Sequence, residues 1–575
     1  MSISFSELKK NFRQDFSGLP QIKVAVLADS AAQFFCQALK GYGYTKNIHL
    51  DIWEADYDRI YESVMDEDSD LYNFQPKFII IFQSPKKLLY RFNKSSAVEK
   101  RKFADTHKAQ LTQITNAINS RLKCNIVYLN FPEINDTVFG NFGNKTESAF
   151  IYQLRKINFE LMQLAMQVPN LNITDISTIQ NLYGTQLMMN ERYYINVDNV
   201  YNIDALGYIA GSITDIILAF SGVFKKCLIL DLDNTLWGGI IGDDGIENIQ
   251  IGNLGIGKAF TELQLWIKQL KERGIILAVC SKNTEHIAKE PFEKHPEMVL
   301  HLDDIAVFVA NWDNKADNIR YIQSVLNIGF DAMVFLDDNP AEREIVKNNI
   351  PGITVPALPE DPAEYLSFLY TQNLFETVSF TEEDILRTRQ YREEAKRNIL
   401  QQTFVNEAEF LSSLEMKAVV KAIDNFTLPR AAQLTQRSNQ FNLRTVRYTE
   451  DEVKKIVKDE RKYTLTISLK DKFGDYGLIC LVIAEKKDAA ELFIDTWIMS
   501  CRVLKREVEN FTLNELVNIA RENGFTTITG EYLPTPKNAL VKDHYLKLGF
   551  TLKENYWYLS IADYIEKSNA IQKSN

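Results

Sequence analysis

Two aspartates, Asp231 and Asp233, stand one residue apart directly after the apolar run CLIL (227–230). In an extended chain the side chains of residues i and i+2 point the same way, so both carboxylates can converge on one site. A hard cation with oxygen ligands is the simplest relief for their mutual repulsion. Asp-rich strand ends also make turns, and for this pair alone both readings stand. Three further segments tip the balance, because each places polar groups after its own apolar run. VCSKN (279–283) offers the Ser281 hydroxyl, with Cys280 and Asn283 beside it. NWDNKADNIRYI (311–322) puts Lys315 at a helix start, and FLDDNPAERE (335–344) ends a strand with Asp337 and Asp338.

These residue types add up to phosphoryl transfer. Asp231 can attack a phosphoryl group in line, and the aspartyl-phosphate so formed divides a hard hydrolysis into two easier steps. Asp233 can protonate the leaving oxygen and later take a proton from the attacking water. Lys315 and Ser281 would hold the transferring oxygens, while Mg²⁺ offsets the charge gathered there. The expected metal ligands are Asp231, the backbone carbonyl of Asp233, and one carboxylate of the Asp337/Asp338 pair, with Asp338 preferred and Asp337 bracing Lys315. Asn283 and Cys280 are candidate substrate contacts.

The elements that must position these groups are strands of a parallel sheet, since ligands of open α/β sheets bind beyond the strand carboxyl ends. CLIL (227–230), IILAVC (275–280), IAVFVA (305–310) and MVFL (333–336) read as buried strands. A helix from Lys258 to Arg273 puts Phe260, Leu263, Ile267 and Leu270 on one face, and Gly274 is a plausible stop. Between Asp233 and Lys258 the chain is short and Gly-rich, enough for a hairpin flap but not for a cap domain, which predicts an open site.

The same alternation of strand and helix fills the chain before this unit. IKVAVLA (22–28), KFIIIFQ (77–83) and CNIVYLN (124–130) are strand-like, with helices expected at Ala97 to Ser120 and Glu147 to Met166. The apolar run Gly207 to Phe224 is interrupted by Asp215 and reads as a buried helix. PALPEDP (356–362) and a charged helical stretch, Glu382 to Gln401, mark a domain exit. Beyond it YTLTISL (463–469), GLICLVIAE (477–485) and ELFIDTWI (491–498) follow one another without helices, suggesting an antiparallel sheet. Helices Val508 to Glu522 and Asn538 to Lys547 come after, so this unit is α+β.

Taken together, Asp-x-Asp-x-Thr, Ser281, Lys315 and the acidic pair resemble the four motifs of the haloacid dehalogenase (HAD) superfamily. DLDNTLWGGIIGDDG with SKN and FLDDNPAERE is similar to its narrower FkbH-like group, in the IIIC branch. That resemblance implies capture of a glyceryl unit from a phosphorylated three-carbon intermediate and its transfer to the phosphopantetheine thiol of an acyl carrier protein. Cys280 would then be placed to hold the acyl group as a thioester, although a free cysteine in a strand is more often a small hydrophobe.

VLADSAAQ (26–33) resembles the nucleophile block of SGNH-type esterases, with Ser30 after Asp29 and Asn130 matching an oxyanion residue. No histidine falls between 108 and 285, where that family's Asp-x-x-His lies, and the units at Asp198 and Asp204 end in Tyr201 and Gly207. The first domain is therefore expected to be SGNH-like and non-hydrolytic. The last resembles GNAT acetyltransferases through the run to Ile498, the helix after it and YLPTPKNALVKDHYLKLGF (532–550). Its counterpart of the glycine-rich coenzyme A loop, Arg502 to Glu507, has no glycine, which argues against acetyl-CoA and leaves Arg502, Lys505 and Arg506 to meet an acidic carrier protein or to form a solvated face. TQRSNQFNL (435–443) also looks like the FkbH-like group.

The expected organisation is an SGNH-like α/β domain (1–222), a HAD-type Rossmann-like domain (223–375), a helical linker (376–407) and a GNAT-like α+β domain (408–575). At 575 residues the chain has room for several domains. Its net charge of −11 excludes nucleic-acid binding driven by global charge, and the 45% hydrophobic fraction is that of a globular protein. Six dispersed cysteines signal neither a zinc ribbon nor a disulfide framework. With no apolar core in its first residues for a signal peptide, the chain reads as cytoplasmic, without a membrane partner. The expected function is Mg²⁺-dependent phosphatase chemistry on a phosphorylated small molecule, coupled to carrier loading. A plain small-molecule phosphatase and a non-catalytic scaffold that binds carrier protein are the alternatives.

Overall fold

A computed structural model describes residues 3–574 apart from 14–17, 381–390, 392, 394–396, 398, 399, 401–403, 405, 439, 501 and 502. Two compact units emerge, Met1–Leu218 and Ala219–Asn575. Most of the charged stretch expected as a helix from Glu382 to Gln401 lies outside the described residues, as does Arg502.

The first unit is a five-stranded parallel sheet, β1 (Gln21–Ala28), β2 (His49–Glu54), β3 (Phe78–Phe82), β4 (Asn125–Leu129) and β5 (Leu171–Thr174), in the order β2-β1-β3-β4-β5. Every ladder is parallel, as expected for strands that are separated by helices. The α/β expectation for this unit therefore holds. One predicted helix is two: Ala97–Arg101 and Phe103–Arg121. A Ser96/Glu99 capping box starts the first, and the Lys102 N–H turns to the Glu99 carbonyl, which closes it early. The apolar run forms the helix Leu206–Phe220, whose Ile209, Ala210, Ile213 and Ile217 are fully buried.

In the second unit, β6 (Cys227–Leu230), β7 (Ile276–Ser281), β8 (Ile305–Ala310) and β9 (Met333–Leu336) form a parallel sheet in the order β8-β7-β6-β9. Apart from Ser281 at the end of β7, its strands are apolar because both faces are covered. Leu228 and Leu230 join one core with Phe260 and Ile267 of helix α1 (Gly257–Glu272). Cys227 and Ile229 join another, with Ile319 and Ile322 of helix α2 (Lys315–Leu326). Each such fully buried side chain contributes about 1.5–3 kcal/mol.

The C-terminal sheet has eight strands: β10 (Lys417–Lys421), β11 (Lys462–Lys470), β12 (Asp475–Lys486), β13 (Glu491–Met499), β14 (Thr527–Gly530), β15 (Thr551–Lys553), β16 (Tyr556–Ser560) and β17 (Gln572–Ser574). Their order is β15-β16-β14-β13-β12-β11-β10-β17. The sheet is mixed, not antiparallel: β13 and β14 run parallel, as do β10 and β17. Helix α3 (Val508–Glu522) makes the crossover that a parallel β13/β14 pair requires. This is the expected α+β arrangement. The helix expected at Asn538 to Lys547 is instead a 3₁₀ turn, Ala539–Val541, and a short helix, His544–Lys547. Asn538 spends its side chain on the backbone of Thr535, Leu533 and Asn442, which holds this segment as a loop.

Candidate active site

The carboxyl ends of β6, β7 and β9 and the start of α2 deliver their polar residues to one place. Asp231 follows β6, and its N–H bonds the Leu336 carbonyl, so it stays in register with β9. Asn314 caps α2 by accepting from Ala316 N–H, which fixes where Lys315 begins the helix. The Lys315 ammonium then lies 3.0 Å from Asp231 Oδ2 and 2.6 Å from Asp337 Oδ2. All three are buried. Burial pushes the Asp231 carboxyl upward against the pull of Lys315. For Lys315 burial alone would lower the ammonium, yet the Asp231 and Asp337 carboxylates outweigh it and raise it.

Asp337 is fully engaged, since its other oxygen accepts from Asn339 N–H at 2.8 Å. Asp338 is half-buried and accepts from the Thr235 hydroxyl, at 3.4 Å. Burial, then the neighbouring Asp337, raises its carboxyl above the usual range. One oxygen from each of Asp231, Asp337 and Asp338 falls within a set no more than 4.8 Å across. Such an all-oxygen, carboxylate-rich set suits a hard divalent cation such as Mg²⁺.

Asp233 faces elsewhere. Its Oδ1 accepts from the Trp237 indole and from Ile241 N–H, both at 3.0 Å, and its Oδ2 accepts from Asn283 Nδ2 at 2.8 Å. The segment after it folds back as a flap, with an antiparallel bridge between Gly238 and Gln250 and one helical turn, Ile241–Asp244. Two left-handed residues make the bend: Asn234 (φ 54) accepts from Gly239 N–H, and Gly239 itself has φ 95. A Cβ at Gly239 would sit 2.6 Å from Asp244 Oδ2, so glycine is required there. Ser281 and Asn283 are buried, with Asn283 Nδ2 3.4 Å from Ser281 Oγ.

Cys280 does not join these groups. Neighbouring strand residues face opposite sides, and its side chain belongs to the core under α2, fully buried, with Sγ 3.7 Å from the Lys315 carbonyl. Burial pushes its thiol far up, away from the thiolate that a thioester relay needs. The expected substrate contact at Cys280 is thus corrected. Three residues to which the sequence analysis gave no role do join the site. Thr235 accepts from Asp338 N–H at 3.1 Å, Arg343 donates to the carbonyls of Asp337 and Asp338 at 2.9 and 2.7 Å, and Trp237 is wholly buried. Thr235 and Arg343 lie inside the motifs already singled out, while Trp237 carries no signal beyond its place in the flap.

In the first unit Ser30 is 2% exposed, and its hydroxyl has no hydrogen-bond partner among the described residues. The adjacent Asp29 accepts from Ser84 N–H at 2.7 Å, and burial raises its carboxyl to about 6. Lys87 donates to the Asp29 carbonyl and pairs with Asp198 at 3.4 Å. Asn130 is no oxyanion donor: Nδ2 holds Asp175 and Oδ1 accepts from the N–H groups of Ile176 and Ser177. In the C-terminal domain Lys505 (φ 62) and Glu507 (φ 60) adopt left-handed backbone without glycine. Arg506 is buried with its guanidinium 5.6 Å from the Phe410 ring, so it is not part of a solvated face. Within TQRSNQFNL, Asn442 accepts from Thr445 N–H at 2.7 Å and bridges to Ile498, a structural role.

A family model described as FkbH, N-terminal domain, matches residues 23–218. The N-terminal part of the protein BF1531 from Bacteroides fragilis, which contains a phosphatase domain and was crystallised complexed with Mg, is 52% identical with a TM-score of 0.64. The match covers 66% of this chain and 100% of that one. The ribosomal-protein-S18-alanine N-acetyltransferase from Escherichia coli matches at 16% identity and TM-score 0.21, over 25% of this chain and 94% of its own. Ard1 from Thermoplasma volcanium matches at 13% identity and TM-score 0.20, over 24% and 94%. None of the curated proteins compared matches the chain.

Proposed function

This chain belongs to the FkbH family, and from that premise we propose that its HAD-type phosphatase domain removes phosphate through an aspartyl-phosphate at Asp231 and thereby serves the loading of a glyceryl unit onto an acyl carrier protein. The observation that carries the phosphatase reading is the buried Lys315 ammonium between Asp231 and Asp337, beside the accessible Asp338 carboxylate. Such a grouping positions and neutralises a phosphoryl group, which is nearly all that phosphoryl transfer asks of a protein.

In this reading Asp231 attacks phosphorus in line, and the new P–O bond forms as the bond to the leaving oxygen breaks. Asp233, held by Trp237, Ile241 and Asn283, gives its proton to that oxygen. Water then attacks the same phosphorus, returns a proton to Asp233 and frees Asp231 and phosphate. Lys315 and Ser281 hold the phosphoryl oxygens through both steps. Asp231, Asp338 and the Asp233 backbone carbonyl would hold Mg²⁺, with Asp337 bracing Lys315. Bound there, the ion would offset the negative charge on the transferring group.

Family membership supports the carrier as acceptor. With Cys280 sealed in the core, the carrier thiol itself is left to attack an activated carboxyl carbon. An acyl phosphate would supply that carbon and lose phosphate, and the second phosphate, an ester, would fall to Asp231. The test is intact-mass analysis of a phosphopantetheinylated carrier incubated with phosphorylated three-carbon intermediates, Mg²⁺ and this protein. A glyceryl adduct that requires Asp231 supports the reading, and Cys280→Ala should leave it in place. Phosphate release without any adduct would reduce the protein to a plain phosphatase.

A further inference from the structure

In the first unit the helices Pro85–Lys94 and Ala97–Arg101 follow one another with only Ser95 and Ser96 between them. Together with the next position they carry Arg91, Lys94, Lys100, Arg101 and Lys102. Four of these are exposed and Lys100 is partly so. In a chain of net charge −11 this is a local reversal of sign, and the phosphatase chemistry gives it no task.

Nearby carboxylates do not cancel it. Among the described residues none of the five forms an ion pair, although the Arg91 charge also reaches the buried Asp29 carboxyl. Lys86 and Lys87, just before them, are already matched by Glu191 and Asp198. Asp105, just after them, pairs with Lys156. Glu99 is the acid inside the stretch, and its carboxylate turns back to the Ser96 N–H in a capping box. That charge, with about half a negative charge at each of two helix C-termini, leaves a surplus of about three. Two of the cations are held by rings, which cost them none of their charge. Lys94 Nζ lies 4.4 Å from the centre of the Tyr90 ring, and Lys100 Nζ lies 5.1 Å from that of Phe92, tying the second helix to the first.

Such a surface selects its partner on three counts. Unpaired cations steer an anionic surface and fix its orientation. The guanidinium forks of Arg91 and Arg101 match carboxylates, and Tyr90 and Val98, 57% and 68% exposed, offer apolar contact among them. The two helices span only about 15 and 8 Å, the reach of one helix of a small protein rather than of a polyanion track. Overall negative charge opposes nucleic acid, and two apolar side chains are too few to enter a bilayer. We propose that Arg91, Lys94, Lys100, Arg101 and Lys102 form a docking surface for an acidic helix of a small protein, the acyl carrier in the proposed reaction. The identity of the partner rests on the carrier-loading reading above.

Fluorescence anisotropy of a labelled, phosphopantetheinylated acyl carrier protein titrated with the full chain tests this. Binding should saturate, and raising NaCl from about 50 to about 300 mM should weaken it about tenfold, because salt screens exposed charges. Arg91→Glu with Lys94→Glu, and Arg101→Glu with Lys102→Glu, should each weaken it about tenfold or more. A carrier with two helix carboxylates changed to lysine should bind the wild-type chain poorly and regain affinity for at least one of these double variants, a rescue that misfolding could not produce. Both double variants should release phosphate from p-nitrophenyl phosphate at the wild-type rate. No saturable binding up to about 1 mM chain, affinity unmoved by salt or by both double variants, or equal affinity for a DNA duplex or for phosphatidylglycerol vesicles would each overturn the proposal. The loading reading fails separately: phosphate release without a glyceryl adduct would sink it, while carrier affinity still reports on this surface.

Discussion

Asn283 Nδ2 lies 2.8 Å from Asp233 Oδ2, tying the loop after β7 to the aspartate that follows β6. Together with the Trp237 indole and Ile241 N–H it leaves Asp233 one orientation. Since a small misplacement of a reacting group costs heavily, Asn283→Ala should lower kcat by about ten- to a hundredfold, with little change in KM. Asp233→Asn should be worse, and worst for poor leaving groups. Equal losses across a leaving-group series would deny Asp233 the acid role.

Lys315 answers two buried carboxylates at once. In Lys315→Met both lose their counter-charge, and removing one partner of a buried pair costs about 3–5 kcal/mol. Urea unfolding without divalent metal should show the fall, and adding Mg²⁺ should recover part of it. An unchanged midpoint would mean that the carboxylates simply protonate without consequence.

Two imidazoles make the fold sensitive to acid. Burial lowers both His107 and His544 to about 3, against about 6.5 in an unfolded chain. The unfolded state therefore binds more protons below that value, and stability falls steadily as pH drops from about 6.5 towards 3. His544 lies 4.6 Å from the Trp497 ring centre, so indole fluorescence during denaturation at stepped pH follows the second unit. In His544→Phe this part of the acid sensitivity should shrink.

Ser30 has a neighbouring lysine and no histidine base. Lys87 is raised above its usual range: burial lowers it, but Tyr57, Asp198 and other carboxylates outweigh that, so it stays protonated and is no base. Ser30→Ala should leave hydrolysis of p-nitrophenyl acetate unchanged. A Ser30-dependent rate would show that the first domain is an esterase.

Strands covered on both faces were legible because burial leaves them no polar positions: CLIL, IAVFVA and MVFL begin and end where the apolar run does. Edge strands were not. β2 lies at the border of its sheet with most residues half-exposed, and β17 is three polar residues that become a strand only by pairing with β10. The four segments around Asp231 could be read in sequence because each follows its own strand. The division of labour within them could not. Asp231 turns to Lys315 while Asp233 turns to the flap, and that depends on where Trp237 and Asn283 land in space. The alternation that puts Ser281 and Cys280 on opposite faces was available in the sequence, yet adjacency to Ser281 suggested a shared site.

The most direct measurement is trapping of the covalent intermediate. Protein mixed with a phosphate ester and Mg²⁺ and quenched in acid within one turnover should gain a single phosphoryl mass, and peptide mapping should place it on Asp231. The adduct should be absent in Asp231→Asn and without divalent metal, and it should accumulate in Asp233→Asn given a good leaving group, because water then lacks its base. Turnover without a phosphoprotein, or a phosphoryl group on any other residue, would contradict the account.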